Sequence, residues 1–294
     1  MNLNDIFDKQ GIDPALVIVI RHTPKEPELR KIFPWLVHEK PEVFNAYQQS
    51  QSCLVENALN DVVGKGYLAS FIGLSPRTAV FAGLYRIRGA VPVDYEQFWS
   101  MEVNQSLRSF GLPDWDKKDR RKTCLWFDLE LQATYAHWIG KLEVVWPPPA
   151  IKWWIHADKK EAPVHSISEE SRFAEQMPDW RELVLTWAQL RVIPTSWRTA
   201  LSHWRGVYYI HDASDGKSYV GSASGSKNLL GRWRNYADGG DGGNKLLLDR
   251  DPTKFRFSIL QIVAHDLSSA EVVAIENTWK KRLHTQSPSG LNVK

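Results

Sequence analysis

The chain has 294 residues, a formal net charge of +3 at pH 7 and 43% hydrophobic and 24% charged residues, which is typical of a soluble globular protein of about two domains. It contains no run of about 18 apolar residues and no signal-like N-terminus, which argues against a membrane span and a secretory leader. The two cysteines, Cys53 and Cys124, lack Cys or His neighbours at zinc spacing, so we expect a reduced, cytoplasmic protein without structural zinc.

Five runs in residues 1–175 are rich in β-branched and aromatic residues, and turn sequences such as GLSPRT and WPPP bound them. The predicted strands are Leu16–Ile20, Tyr67–Leu74, Ala79–Ile87, Cys124–Leu131 and Trp138–Trp146. Two helices are predicted between them, over residues 41–63 and 95–110. Paired strands with few helices favour a mainly antiparallel, mainly-β barrel or an α+β domain over residues 1–175.

Residues 176–205 are predicted to form a helical connector. Apolar residues recur there at helical spacing, namely Trp180, Leu183, Val184, Trp187 and Leu190. Pro194 interrupts the pattern, and Ser196 is a suitable N-cap for a second short helix. A DNA-reading helix is the alternative because the segment also carries Arg181, Arg191, Arg198 and Arg205.

The C-terminal segment, residues 206–294, carries the net positive charge of the chain, with 12 of the 37 basic and 9 of the 34 acidic residues. This excess is compatible with a phosphate-binding surface but is weak evidence alone. The segment begins with two short apolar runs, GVYYI and SYVGSA, joined by the turn sequence HDASDGK, which predicts a β-hairpin. Strand alternation allows Tyr208 and Tyr219 to emerge on one face, where core packing is the ordinary expectation for two tyrosines.

The remaining motifs favour a catalytic interpretation instead. GVY at residues 206–208 and YVG at residues 219–221 resemble the paired tripeptides of the GIY-YIG endonuclease family. The family pattern continues in the same order with Arg232 opening a helix, a strand at Phe255–Val263, Glu276 on a late helix and Asn292 near the end. For residues 206–294 the resemblance implies a small α+β nuclease domain, in which helices flank a three-stranded antiparallel sheet.

The resemblance also implies phosphodiester hydrolysis with one divalent metal ion. Glu276 is the expected ligand of Mg²⁺, with Mn²⁺ as a substitute, because a hard cation can be held by one carboxylate and keep several waters. Arg232 is expected to clamp the scissile phosphate through its planar guanidinium. No second carboxylate stands at an obvious partner position, so a two-metal site is not expected.

Tyr208 or Tyr219 is expected to handle the attacking water. A phenol has a pKa of about 10, so it needs a nearby cation to act as a base at neutral pH. Lys217 is the candidate for that cation, with an exposed turn lysine as the alternative. Tyr236 stands one helical turn after the arginine, where many family members carry a histidine, and it is expected to be a third phenol in the site.

Further positions of the segment are expected to contact DNA, namely Arg234, Asn244, Lys245 and Asn292. Asp241 lies where relatives carry a histidine before Gly-Gly-Asn. It is either a second acidic group near the metal or a turn former in a glycine-rich loop.

The order of the segments, with the nuclease-like module last, resembles restriction or defence nucleases more than repair or homing enzymes. The preceding strands resemble PUA-like barrels, some of which flip and read modified bases. For such a reader we expect an aromatic cage around an extruded base. The candidate walls are Phe71, Tyr85, Trp126 and Trp138, with ordinary core packing as the alternative.

The main hypothesis is therefore a metal-dependent endonuclease of a restriction or phage-defence system that cuts double-stranded DNA, with modified DNA as a candidate substrate and no membrane partner. Because the module has one site, cutting both strands would require a homodimer or two successive nicks. One alternative is a nucleic-acid-binding protein with an inactive nuclease scaffold. Another is a nuclease for RNA or branched DNA, because phosphate contacts carry no sequence information.

Overall fold

The computed structural model describes residues 1–114, 122–149, 152–225, 228–239 and 244–293. The chain divides into two compact units, Met1–Glu175 and Gln176–Lys294. Both units combine helices with a mainly antiparallel sheet, so each is of the α+β class. None of the helices in the described ranges has the length and hydropathy that crossing a bilayer would require.

The N-terminal unit is built on a sheet with seven strands in the described part of the chain. They are β1 (Val17–His22), β2 (Tyr67–Ser75), β3 (Thr78–Asp94), β4 (Thr123–Leu131), β5 (Leu142–Val145), β6 (Trp154–His156) and β7 (Val164–Ile167). The order is β6-β1-β2-β3-β5-β7, and β4 pairs with the second half of the long strand β3. The β1–β2 pair is parallel, and the other pairs described are antiparallel.

The helices of this unit are α1 (Leu3–Asp8), α2 (Pro27–Glu39), α3 (Pro41–Gln49), α4 (Cys53–Asn60), α5 (Tyr95–Ser100) and α6 (Glu102–Ser109). The helix predicted over residues 41–63 is a pair of short helices, α3 and α4, and the helix predicted over residues 95–110 is likewise a pair, α5 and α6. The backbone is extended at Ser50 and at Met101, which ends the helical hydrogen-bond ladder there. At the second break, Asn104 Nδ2 donates to the Phe98 carbonyl at 2.9 Å, near the C-terminal end of α5.

Helices α2 and α3 cover the sheet around the end of β1. The His22 ring lies 6.0 Å from the rings of Phe33 and Phe44 and 5.6 Å from that of Tyr47, measured between centroids. Burial lowers the pKa of His22 to about 3, although the side chain of Gln48 acts in the opposite direction. The imidazole is therefore neutral at neutral pH and packs as a core residue.

The C-terminal unit contains a four-stranded antiparallel sheet in the order β10-β9-β11-β8 among the described residues. The strands are β8 (Val184–Thr186), β9 (Arg205–Asp212), β10 (Ser218–Ala223) and β11 (Phe255–Val263). The helices are α7 (Trp187–Arg191), α8 (Thr195–His203), α9 (Asn228–Ala237), α10 (Lys245–Leu248) and α11 (Ser269–Arg282). The predicted hairpin corresponds to β9 and β10.

The helical connector predicted for residues 176–205 is wrong over its first part, because Val184–Thr186 forms strand β8. This strand pairs with residues 256–258 of β11 and adds a fourth strand to the sheet, where three were expected. Its alternation of an exposed Val184 with a buried Leu185 suits an edge strand. Thr186 then caps α7, and Pro194, rather than Ser196, is the N-cap of α8.

Candidate active site

The β9–β10 hairpin brings two tyrosines to one face of the sheet. Tyr208 lies opposite Gly221, and Tyr219 lies opposite Ile210, so both side chains follow the alternation of the same face. The two ring centroids are 6.3 Å apart. Tyr236 of α9 joins them, with ring centroids 6.2 Å from Tyr208 and 5.8 Å from Tyr219. The structure therefore brings together the three phenols that the sequence analysis selected.

The hydroxyl groups of this phenol cluster, Tyr208, Tyr219 and Tyr236, form a short chain. The oxygens of Tyr208 and Tyr236 are 3.1 Å apart, and the Tyr236 hydroxyl donates to the Tyr219 oxygen over a longer 3.4 Å. Tyr208 and Tyr236 are each only 1% exposed, whereas Tyr219 is half-buried. Tyr219 is thus the member of the cluster that a substrate could reach.

Burial dominates the acid–base behaviour of the phenol cluster. It raises the pKa of Tyr208 well above its ordinary value, and Tyr236 and Tyr219 add to the rise. Burial also raises the pKa of Tyr219, as do Tyr236 and the negative charge of Glu276. Arg232 acts in the opposite direction on both groups. Both phenols are therefore protonated at neutral pH, and Arg232 is a cation that favours their ionisation.

Arg232 is positioned by the packing of α9 against the sheet. Trp233, the next residue, is fully buried, and its ring centroid lies 5.7 Å from that of Phe257 on β11. Tyr236 lies one helical turn beyond Arg232 and joins the phenol cluster. Arg232 itself is exposed, so its guanidinium is available to a phosphate group.

The Glu276 carboxylate, on α11, interacts with two neighbouring side chains. The Ser222 hydroxyl, on β10, donates to Glu276 Oε2, and the Lys280 ammonium contacts Glu276 Oε1. The side chains of Glu276 and Lys280 are 12% and 18% exposed. Neither partner was predicted from the sequence. A lysine four residues after a glutamate on a helix is a recognisable signal for an ion pair, whereas a lone serine on a strand gives none.

Comparison with known proteins identifies the family of the segment that carries these residues. Residues 205–291 match the model of the family described as the GIY-YIG catalytic domain. This segment is a GIY-YIG catalytic domain. The match indicates a nuclease, that is, a phosphodiester hydrolase. None of the curated proteins matches the chain.

Two solved structures resemble part of the chain. The catalytic domain of homing endonuclease I-TevI is 24% identical, and the match covers 31% of this chain and 98% of that one, with a TM-score of 0.26. A mutant of the catalytic domain of intron endonuclease I-TevI is 23% identical, and the match covers 31% and 94% of the two chains with the same TM-score. At these values the likeness adds nothing to the family match.

Two asparagines of the GIY-YIG domain that were predicted to contact DNA are buried instead. Asn292 is 2% exposed, and its side-chain amide accepts from the Val220 N–H at 3.0 Å and donates to the Val220 carbonyl at 2.8 Å. Asn244 is 7% exposed, donates to the Leu291 carbonyl at 2.6 Å and caps α10 by accepting from the Leu246 N–H at 3.1 Å. Both side chains hold the C-terminal segment in place, so the predicted DNA contacts are corrected.

The other predicted polar residues lie at the surface or outside the described ranges. Arg234 and Lys245 are exposed, and their contacts with DNA remain predictions. Arg234 is two residues from Arg232, so it points to a different side of α9. Lys217 is half-buried in the turn before β10, where its backbone N–H donates to Asp215 at 3.0 Å, and its help to Tyr219 also remains a prediction. Asp241 lies outside the described residues.

The aromatic residues predicted to wall a base pocket do not meet in one cage in the described structure. They are Phe71, Tyr85, Trp126 and Trp138. Phe71 is buried in one hydrophobic cluster of the N-terminal unit, and the half-buried Trp138 packs against that cluster. Trp126, also half-buried, packs against a different cluster that contains Phe98. Tyr85 is buried elsewhere beside Gln48, and burial raises its pKa to about 12. Phe71 and Tyr85 are buried, which agrees with core packing, whereas a role of the half-buried Trp126 and Trp138 in base recognition remains a prediction.

The donor atoms at Glu276 suit a hard divalent cation. A carboxylate and a neighbouring hydroxyl are oxygen donors, and Mg²⁺ is commonly held by one or two carboxylates while it keeps several waters. Within the described ranges, no group of three or more His, Cys, Asp or Glu side chains could hold a metal. The oxygen donors of Glu276 and Ser222 are of the type that such a cation binds.

Gly221 is required by the close approach of the phenols. A Cβ atom at this position would lie 2.6 Å from Tyr208 Cζ and 2.7 Å from Tyr219 Cε1. We expect Gly221→Ala to lower the free energy of unfolding by about 1–3 kcal/mol and to displace both rings. Gly225→Ala is the matched control, because a Cβ there meets nothing within 4 Å. Urea unfolding and cleavage assays on both variants test this, and equal behaviour of the two would contradict it.

Proposed function

We propose that this protein is a metal-dependent DNA endonuclease that hydrolyses phosphodiester bonds in its GIY-YIG domain. The observation that carries the proposal is the half-buried Tyr219, which packs against Tyr236 one helical turn beyond Arg232. The negative charge of Glu276 raises the pKa of Tyr219 and the positive charge of Arg232 lowers it, which supports a shared role for the three groups. Hydrolysis of a phosphodiester needs these functions together.

Glu276 would hold one divalent cation, Mg²⁺ in the cell with Mn²⁺ as a substitute. When bound, such a cation stabilises negative charge on phosphoryl oxygens and lowers the pKa of a coordinated water. Ser222 donates to Glu276 Oε2 and fixes the orientation of the carboxylate. Arg232 would bind two oxygens of the scissile phosphate, since its planar fork matches their geometry.

Tyr219 is the phenol that we assign to the attacking water. It is half-buried, and its oxygen accepts from Tyr236, which leaves its own proton to be donated outwards. Because burial keeps the group protonated at neutral pH, Tyr219 would orient the water as a hydrogen-bond donor until nearby positive charge lowers its pKa. Tyr208 is buried behind it and positions Tyr236.

Replacing the carboxylate tests the cation site. We expect Glu276→Gln to lower Mg²⁺-dependent DNA cleavage by about 10³-fold, since the charge that holds the cation is lost while the side chain keeps its shape. EDTA should abolish wild-type cleavage. Asp266→Asn, an exposed carboxylate shortly before α11, is the control and should cleave normally. Wild-type rates for Glu276→Gln in a single-turnover assay would remove Glu276 from the site.

The division of roles within the phenol cluster gives a second test. Tyr219→Phe should lower kcat by about 10²-fold, because it removes the hydroxyl that orients the water. Tyr208→Phe should lower it by less than about 10-fold, because it removes one buried hydrogen bond behind the site. Steady-state cleavage rates of the two variants check this order. A larger loss of kcat in Tyr208→Phe than in Tyr219→Phe would contradict the assignment of the attacking water to Tyr219.

We further propose that the enzyme serves in a restriction or phage-defence system and that the N-terminal unit selects its double-stranded DNA. Support comes from the presence of a separate compact unit of 175 residues beside a small catalytic domain. Phosphate contacts within the catalytic domain position DNA without reading its sequence. One site cuts one strand, so double-strand cleavage would need a homodimer or successive nicks.

Digestion of unmodified, methylated, hydroxymethylated and glucosylated phage DNA side by side tests this role. We expect cleavage of at least one DNA and protection of another, because a defence nuclease must spare the DNA of its host. RNA and branched DNA belong in the same assay with Mg²⁺ or Mn²⁺. Equal cleavage of all the duplexes, or preference for RNA or a branched substrate, would contradict the restriction role, and no cleavage at all would favour an inactive binding scaffold.

A further inference from the structure

We propose that Lys280 is a built-in competitor for the cation at Glu276 and thereby determines how much divalent metal the nuclease requires. The inference rests on the proposed function, because it concerns the same carboxylate. Lys280 would act on cation binding through the Glu276 carboxylate, and it lies outside the sequence motifs from which the domain was recognised.

Both oxygens of the Glu276 carboxylate already have partners. The Ser222 hydroxyl donates to Oε2, and the Lys280 ammonium contacts Oε1. Lys280 lies one helical turn after Glu276, so the pair shares one side of α11. With side chains that are 12% and 18% exposed, the two charges are screened less by water and salt than a surface pair would be.

The two partners differ in what they do to a cation at Glu276. Ser222 is neutral, so its hydrogen bond to one oxygen can persist while the other oxygen binds metal. The Lys280 ammonium contacts the second oxygen, Oε1, and its positive charge repels a divalent cation that approaches this oxygen. Cation binding must therefore displace the ammonium from Oε1 or tolerate that repulsion, and either lowers the affinity.

The other basic residues at the end of α11 are placed differently. The guanidinium of Arg282 lies 4.4 Å from the ring centroid of Trp279, where it makes a cation–π contact. Lys281 is exposed and follows Lys280 directly, so it points to another side of the helix. Lys281 is therefore a matched control that removes the same charge from the same helix.

The test is calorimetric titration of the full-length protein with Mn²⁺ in the absence of DNA. Lys280→Met should bind Mn²⁺ about three- to fivefold more tightly than the wild type, as expected for loss of a partly exposed ion-pair partner. Lys281→Met should match the wild type, and Glu276→Gln should lose the binding. Lys280→Arg keeps the positive charge and should stay near the wild-type dissociation constant, which separates charge from packing.

The outcomes distinguish this inference from the proposed cation site. If Lys280→Met binds as the wild type does while Glu276→Gln loses binding, the cation site stands and the role of Lys280 is refuted. If Lys280→Met alone shows binding, Lys280 masks the carboxylate and the inference holds. If neither the wild type nor Lys280→Met binds Mn²⁺, both the cation role of Glu276 and the competitor role of Lys280 are refuted. Thermal unfolding of each variant confirms that the protein titrated is folded.

Discussion

Gly221 lies opposite Tyr208 in the β9–β10 hairpin, and the lack of a side chain there lets the hairpin phenols approach each other and Tyr236. The remaining groups of the site depend on this contact. A slip of one residue in the hairpin would turn one phenol to the opposite face. Because Tyr236 docks on the pair, the register also fixes the rotation of α9 and hence the direction of Arg232.

The three phenols show how one cluster can provide both structure and chemistry. The two buried members, Tyr208 and Tyr236, pack within the fold with their hydroxyl oxygens 3.1 Å apart, whereas Tyr219 is half-buried and accepts a hydrogen bond from Tyr236. Positive charge from Arg232 and negative charge from Glu276 act on Tyr219 in opposite directions. The acidity of Tyr219 therefore depends on what neutralises the Glu276 carboxylate.

The sequence predicted the parts of the site that local motifs define. The hairpin tripeptides, Arg232 and Glu276 have residue types and spacings that family resemblance can recognise. The nature of their surroundings could not be predicted, because burial is set by contacts distant in the chain. Asn292 is an example: a polar residue near the end suggests a DNA contact, but it bonds to Val220, 72 positions away. Strand β8 was missed for the same reason, since its pairing with β11 outweighs its helical spacing.

The bonds of Asn292 also have a consequence for how the sheet meets other chains. β10 is an edge strand, and such an edge normally presents free N–H and carbonyl groups to any passing strand. Here the Asn292 side-chain amide accepts from the Val220 N–H and donates to the Val220 carbonyl, and the Leu291 N–H donates to the Ser218 carbonyl at 2.9 Å. The C-terminal segment thus shields this edge as a substitute strand would. A second molecule could extend the sheet on this side only by displacing that segment.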